Sequence, residues 1–246
     1  ARTAGARAPF FPAANCGWSI WRWINVEVKV MKDILGQNDA IAAALREQLA
    51  EQRVFVLNLL GSPGSGKTTL LEKTIAALNK KLRLAVIEGD LFTSKDADRI
   101  ARHDVPVIQI NTSGGCHLDA PMIEKALKEL NTDALDLLII ENVGNLVCPA
   151  EFALGEDMKA VVLSVTEGND KPLKYPLIFK ESALTLLNKI DLVPYTDFNV
   201  AAATEDIMTV HPGVAVLPVS ARTGEGLAAW LDWLCARVQE KREATR

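Results

Sequence analysis

The eight residues Gly61-Ser62-Pro63-Gly64-Ser65-Gly66-Lys67-Thr68, with Thr69 behind them, restrict this chain more than any other stretch. They follow residues 54–60, apolar except for Asn58, and lead into Leu70, Leu71, Ile75 and Leu78 at helical spacing. A Gly, four residues and Gly-Lys-Thr between a strand and a helix is the pattern of a phosphate-binding loop. Glycines there let backbone N–H groups close around an anion that side chains would keep away. Lys67 is then expected to bring a cation to the β- and γ-phosphates, and the Thr68 hydroxyl to reach Mg²⁺. The positive end of the following helix points at the same anion. The expected nucleotide contacts are Gly61, Ser62, Gly64, Ser65, Gly66, Lys67, Thr68 and Thr69.

The remaining pattern repeats this strand–helix alternation. Strands are expected at 54–60, 84–88, 107–110, 135–141, 160–165, 184–188 and 214–218. Several are almost unbroken Val, Ile and Leu, as in parallel strands covered on both faces. Helices are expected near 38–52, 68–80, 96–102, 121–130, 200–210 and 226–238, the first with Ile41, Leu45 and Leu49 on one stripe. This predicts an α/β fold: a doubly wound, mainly parallel seven-stranded sheet flanked by helices, binding ligands beyond the carboxyl ends of its strands. The domain is expected to span residues 31–246. Residues 1–30, with Trp18, Trp21 and Trp23 and no acidic residue before Glu27, read as an N-terminal extension, unstructured or added sequence, with Met31 a natural start.

No unbroken apolar run is long enough to span a membrane, and a net charge of −4 argues against non-specific nucleic-acid binding. Neither a membrane nor a nucleic acid is therefore an expected partner.

Base choice is expected from Asn188-Lys189-Ile190-Asp191 at the end of the sixth strand. The Asp191 carboxylate can accept two hydrogen bonds from the N1–H and exocyclic amine of guanine, a donor pair that adenine lacks. Ser220-Ala221-Arg222, after the last strand, suits a base-supporting loop, with Arg where GTPases carry Lys. The ligand is thus expected to be GTP or GDP, and the compartment cytoplasmic. Glu141-Asn142-Val143-Gly144 ends the fourth strand and is similar to the Asp-x-x-Gly switch of GTPases, with Glu141 for Asp. Gly144 is positioned to turn an N–H toward the γ-phosphate, and Asp90 follows the second strand. Lys67, Asp90, Glu141 and Gly144 are the expected catalytic residues, with Thr68, Asp90 and Glu141 around Mg²⁺. Lys95, Asp96, Asp98 and Arg99 read as a solvated helix face. Without an evident catalytic Gln or arginine finger, slow intrinsic turnover is expected.

Four cysteines (Cys16, Cys116, Cys148, Cys235) lie too far apart for a disulfide scaffold. Cys116-His117 follows the third strand and Cys148 follows the Glu141 segment, so both stretches are expected at the nucleotide edge. Thiolate and imidazole suit Ni²⁺ or Zn²⁺, whereas Mg²⁺ prefers oxygen. Taken singly, Cys148 also reads as a small buried apolar residue and His117 as an ordinary imidazole. Three ligands leave a tetrahedral ion one short, which water or a second subunit could supply.

Over roughly residues 35–240 these motifs resemble the HypB family, the hydrogenase nickel-incorporation GTPases. The likeness lies in Ser62 to Leu70, Glu88-Gly89-Asp90, Asp96 to Ile100, Gly115-Cys116-His117-Leu118-Asp119-Ala120, Glu141 to Pro149, Thr166-Glu167-Gly168 and Lys171 to Pro176. The resemblance implies a phosphate-loop GTPase of the SIMIBI class that dimerises with nucleotide. It also implies a HypA-type metallochaperone and a [NiFe]-hydrogenase large-subunit precursor as partners, with Cys116, His117 and Cys148 as metal ligands. Many members carry an N-terminal cysteine cluster or a histidine-rich stretch. Here only Cys16 and three histidines, His103, His117 and His211, are present, so a nickel store is not expected. The UreG family, a neighbouring possibility, places a residue between Cys and His. A metal-sequestering protein with incidental GTP binding is disfavoured by the lack of histidines.

Overall fold

The computed structural model describes residues 20–90, 99–100 and 102–244, with side chains from Leu35 onward. Cys16, Trp18 and most of the helix expected at 96–102 lie outside the described residues. The chain divides into two units, Ala1–Leu35 and Gly36–Arg246, and the candidate sites belong to the second.

Among the described residues seven strands form one sheet: β1 (Phe55–Gly61), β2 (Leu84–Asp90), β3 (Val107–Asn111), β4 (Leu137–Glu141), β5 (Met158–Ser164), β6 (Leu184–Asn188) and β7 (Ala215–Pro218). Their order is β3-β2-β4-β1-β5-β6-β7 and every neighbouring pair is parallel. The expected sheet is present, and wholly parallel. Strand ends differ from expectation where polar side chains take over. β4 starts at Leu137 because Arg83 occupies both backbone and carboxylate of Asp136. β5 starts at Met158, just after Asp157, whose carboxylate accepts the Val56 N–H at 2.8 Å.

Successive residues of a strand face opposite sides, and β1 is buried along its whole length. Leu57 and Leu59 pack with Leu70, Ile75, Trp230 and Leu234 on one face. Val54 and Val56 pack with Leu45, Leu49 and Ile123 on the other. The first face is covered by α2 (Lys67–Leu78) and the C-terminal helix Leu227–Glu243. Trp230 joins these two helices by donating its indole N–H to Thr74 Oγ1 at 2.8 Å. Helix α1 runs along Ile20–Glu51, beginning well before the expected Asn38, and buries Ala42, Leu45 and Leu49. Each such leucine contributes on the order of 2 kcal/mol.

Register decides where chemistry gathers. Leu59 and Glu88 both lie opposite Glu141, Gly61 opposite Val162, and Ser164 opposite Asn188. Gly61, Asp90, Glu141 and Asn188 therefore reach the same carboxyl edge of the sheet.

Candidate nucleotide and metal sites

At Gly66 the turn between β1 and α2 has no freedom to carry a larger residue. Gly66 sits at φ 96°, and a Cβ there would lie 2.4 Å from Asn188 Nδ2. That amide donates to the Ser65 carbonyl at 2.8 Å, so glycine is required by both conformation and contact. Lys67 Nζ folds over the turn and donates to the Gly61 and Ser62 carbonyls, each at 3.2 Å. Thr68 Oγ1 donates to Glu141 Oε1 at 2.8 Å, so two expected magnesium ligands from distant segments are in contact.

A cavity of about 460 Å³ opens above them, lined by Gly64, Lys67, Thr68, Asp90, Glu141 and Gly144 among others. Asp90 thus faces the same space as Thr68 and Glu141. Gly144 stands against the turn itself: a Cβ there would meet Pro63 N at 2.8 Å. Glu88 and Arg99 line the cavity too, although the sequence reading did not place them there. Arg99, expected on a solvated face, instead pairs with Glu72 and reaches Thr69 Oγ1 at 3.5 Å. Its own segment carried no apolar stripe from which that direction could be inferred.

A second cavity, of about 450 Å³, is lined by Thr69, Asn188, Lys189, Asp191, Ala221 and Arg222. Asn188 is buried and joins three segments. Its Nδ2 holds the Ser65 carbonyl, while its Oδ1 accepts from Lys189 N at 2.8 Å and from Ala221 N at 3.1 Å. Ser220 Oγ donates to Asp191 Oδ1 at 2.6 Å and accepts the Thr223 N–H, fixing the carboxylate's orientation. Lys189, in a left-handed conformation at φ 63°, extends its ammonium to the Gly64 carbonyl at 2.6 Å. It borders both cavities, so a ligand spanning them would pass beside its alkyl stem.

Cys116, His117 and Cys148 converge. Their ligating atoms all lie within 4.8 Å of one another. The two Sγ atoms are 2.9 Å apart and Cys116 Sγ is 3.5 Å from His117 Nδ1, with both thiols free. Two thiolates on one tetrahedral ion would stand about 3.7 Å apart, so this pair need open by less than an ångström to ligate. Phe152 stacks on the imidazole at 3.9 Å between centroids. Burial holds the His117 imidazolium below its ordinary range, which favours the neutral, ligating ring. The neighbouring Cys116 thiol, then burial, push Cys148 up; a bound cation would act in the opposite direction.

A buried amide chain lies between the two regions, and sequence reasoning missed it. Asn142, beside Glu141, accepts the Leu118 N–H at 3.2 Å, one residue past His117. It also donates to Asn58 Oδ1 at 3.3 Å, and Asn58 donates to Glu156 Oε1 at 3.3 Å.

Residues 55–218 match the nucleotide-binding domain described as CobW/HypB/UreG. The hydrogenase maturation factor HypB of Azotobacter chroococcum mcd 1 is 54% identical over 207 residues, covering 84% of this chain and 68% of that protein. The chain belongs to the HypB family. Among solved structures, HypB from Helicobacter pylori in complex with nickel is 40% identical, with a TM-score of 0.77. The match covers 85% of this chain and 96% of that one. HypB from Archaeoglobus fulgidus is 36% identical with a TM-score of 0.78, over 82% and 99% of the respective chains. A nucleotide-binding domain of the HypB family is therefore the setting for both candidate sites. No helix among the described residues is long and apolar enough to cross a membrane.

Proposed function

We propose that this chain hydrolyses GTP and uses the bound nucleotide to govern a Ni²⁺ or Zn²⁺ site during [NiFe]-hydrogenase maturation. The observation that carries this reading is the economy of one segment. Glu141 contacts Thr68, Gly144 abuts Pro63, and Cys148 meets Cys116, all within residues 141–148. A displacement of that segment on loss of a γ-phosphate would move a metal ligand.

The cradle closed by Gly66 fits a phosphate chain, and the oxygen donors of Thr68, Glu141 and Asp90 fit Mg²⁺. Bound there, Mg²⁺ would neutralise charge on the β- and γ-oxygens. Lys67 would leave its two carbonyls for the phosphates, and Asp191, oriented by Ser220, would select guanine. Asn188, Lys189, Ala221 and Arg222 would frame the base. Turnover would be slow, because the positioned charges are few. Two sulfurs and an imidazole fit Ni²⁺ or Zn²⁺ as cargo rather than Mg²⁺. The nickel complex of the Helicobacter pylori relative supports nickel.

Three donors from one chain leave room for a second copy, so nucleotide-dependent dimerisation is part of the proposal. A HypA-type metallochaperone and the hydrogenase large-subunit precursor are the proposed partners, in the cytoplasm. The test is phosphate release from GTP and ATP with solution mass followed in parallel. GTP-selective turnover and a heavier species with a non-hydrolysable analogue are expected. Equal turnover of ATP would overturn the guanine assignment, and an unchanged mass the dimer.

A further inference from the structure

We propose that Asn145 is the positioning residue through which the phosphate loop sets the geometry of the thiol–imidazole cluster. This rests on the coupling proposed above and names the group that transmits it. Its backbone N–H donates to the Gly61 carbonyl at 3.1 Å, making an isolated antiparallel bridge to the first residue of the loop. Its side chain reaches the other way. Asn145 Oδ1 accepts the Val147 N–H at 2.8 Å, immediately before Cys148. Asn145 Nδ2 donates to the Cys116 carbonyl at 3.5 Å. One amide therefore touches both peptide segments that carry thiols, while its backbone is stitched to the phosphate loop.

The geometry also supplies a trigger. The Gly61 carbonyl that accepts Asn145 N–H also accepts Lys67 Nζ at 3.2 Å. Drawing that ammonium to a phosphate changes the load on the carbonyl and so on the bridge. Gly144 lies close enough to Pro63 that an added Cβ would come within 2.8 Å of Pro63 N, so the bridge and the loop are neighbours through this residue as well. Beside that contact a cavity of about 240 Å³, bordered by Ser62, Pro63, Gly144, Asn145, Val147 and Lys171, gives residues 144–147 space to move. At 3.5 Å the bond to Cys116 is at the outer limit of hydrogen-bond length, whereas that to Val147 is short. A shift of the bridge therefore loosens Cys116 before Cys148 and changes the distance between the sulfurs.

Asparagine suits this task because it donates and accepts at once. Aspartate would keep the bond from Val147 but could not donate to Cys116. Alanine would lose both.

The test is a Ni²⁺ titration of the full chain and of Asn145→Ala and Asn145→Asp, each with GDP and with a non-hydrolysable GTP analogue. Nucleotide affinity is measured separately for every variant. The alanine variant is expected to bind nucleotide, to lose roughly fivefold in Ni²⁺ affinity in one nucleotide state, and to bring the affinity ratio between states close to one. The aspartate variant should keep only part of the wild-type ratio. A wild-type ratio in the alanine variant would overturn the role of Asn145 and leave the coupling standing. A wild-type ratio of one would instead overturn the coupling itself, and Asn145 with it. Should the alanine variant not fold, the near-isosteric aspartate decides: a full ratio overturns the assignment and a reduced one supports it.

Discussion

Thr68 Oγ1 and Glu141 Oε1 lie 2.8 Å apart although 73 residues separate them in sequence. Parallel pairing of β1 with β4 makes this possible, because it ends both strands at one edge and α2 begins just above it. The contact sets side by side the hydroxyl and carboxylate proposed above as oxygen donors to Mg²⁺. Glu141→Gln preserves shape and removes charge. It should lower GTP turnover on the order of 10²-fold, the scale of losing one preorganised electrostatic group. Steady-state turnover across a Mg²⁺ series checks this; an unchanged rate would remove Glu141 from the catalytic site.

Asp191 is held by Ser220, so Asp191→Asn should fit without disturbing its surroundings. Losing a charge-assisted pair of bonds to guanine should weaken GTP roughly 100-fold and favour xanthine nucleotides, whose base presents an acceptor there. Competition binding of GTP against XTP reads both effects. Undiminished GTP affinity would refute guanine recognition by Asp191.

Cys148→Ala leaves two donors of the three that lie within 4.8 Å. Ni²⁺ or Zn²⁺ affinity should fall at least roughly 100-fold, since losing even an outer-shell partner of a metal ligand can cost that much. Equilibrium titration against a chromophoric chelator measures it. A titration identical to wild type would exclude Cys148 as a ligand.

At the opposite edge of the sheet, Asp136 joins Arg83 at 2.5 Å and Arg242 at 2.6 Å. Burial disfavours its charge, yet hydrogen bonds from Arg83 and Arg242 outweigh this and hold the carboxyl well below its usual range. A carboxylate with a depressed folded-state pKa stabilises above its unfolded value, about 3.9, and loses that contribution as pH falls below it. Asp136→Asn should therefore cost roughly 1–2 kcal/mol near neutral pH. The gap from wild type should narrow as pH drops through and below the carboxylate range. Denaturant unfolding at pH 7 and pH 3 tests this, and a gap that widens in acid would contradict it.

The elements most legible in the sequence are those governed by local pattern. Unbroken apolar runs such as Leu137–Ile140 and the glycine spacing before Lys67 each carry their meaning within a few residues. Cys116, His117 and Cys148 were readable as one cluster only because strand order sends both segments to one edge. The amides were not readable. Asn58 finds Glu156 at a separation of 98 residues and Asn142 finds Asn58 at 84, and an asparagine gives no local sign of its partner. Arg99 was hidden similarly, because its direction depends on Glu72 in α2 rather than on its neighbours. The roles of Asn145 and Phe152 likewise emerge only from packing.

The coupling is tested most directly by titrating Ni²⁺ into wild-type protein saturated with GDP and, separately, with a non-hydrolysable GTP analogue. If residues 141–148 carry γ-phosphate occupancy to Cys148, the two dissociation constants should differ by roughly five- to 100-fold, the usual range of coupling between two sites. Equal constants, with both nucleotides shown to be bound, would contradict it.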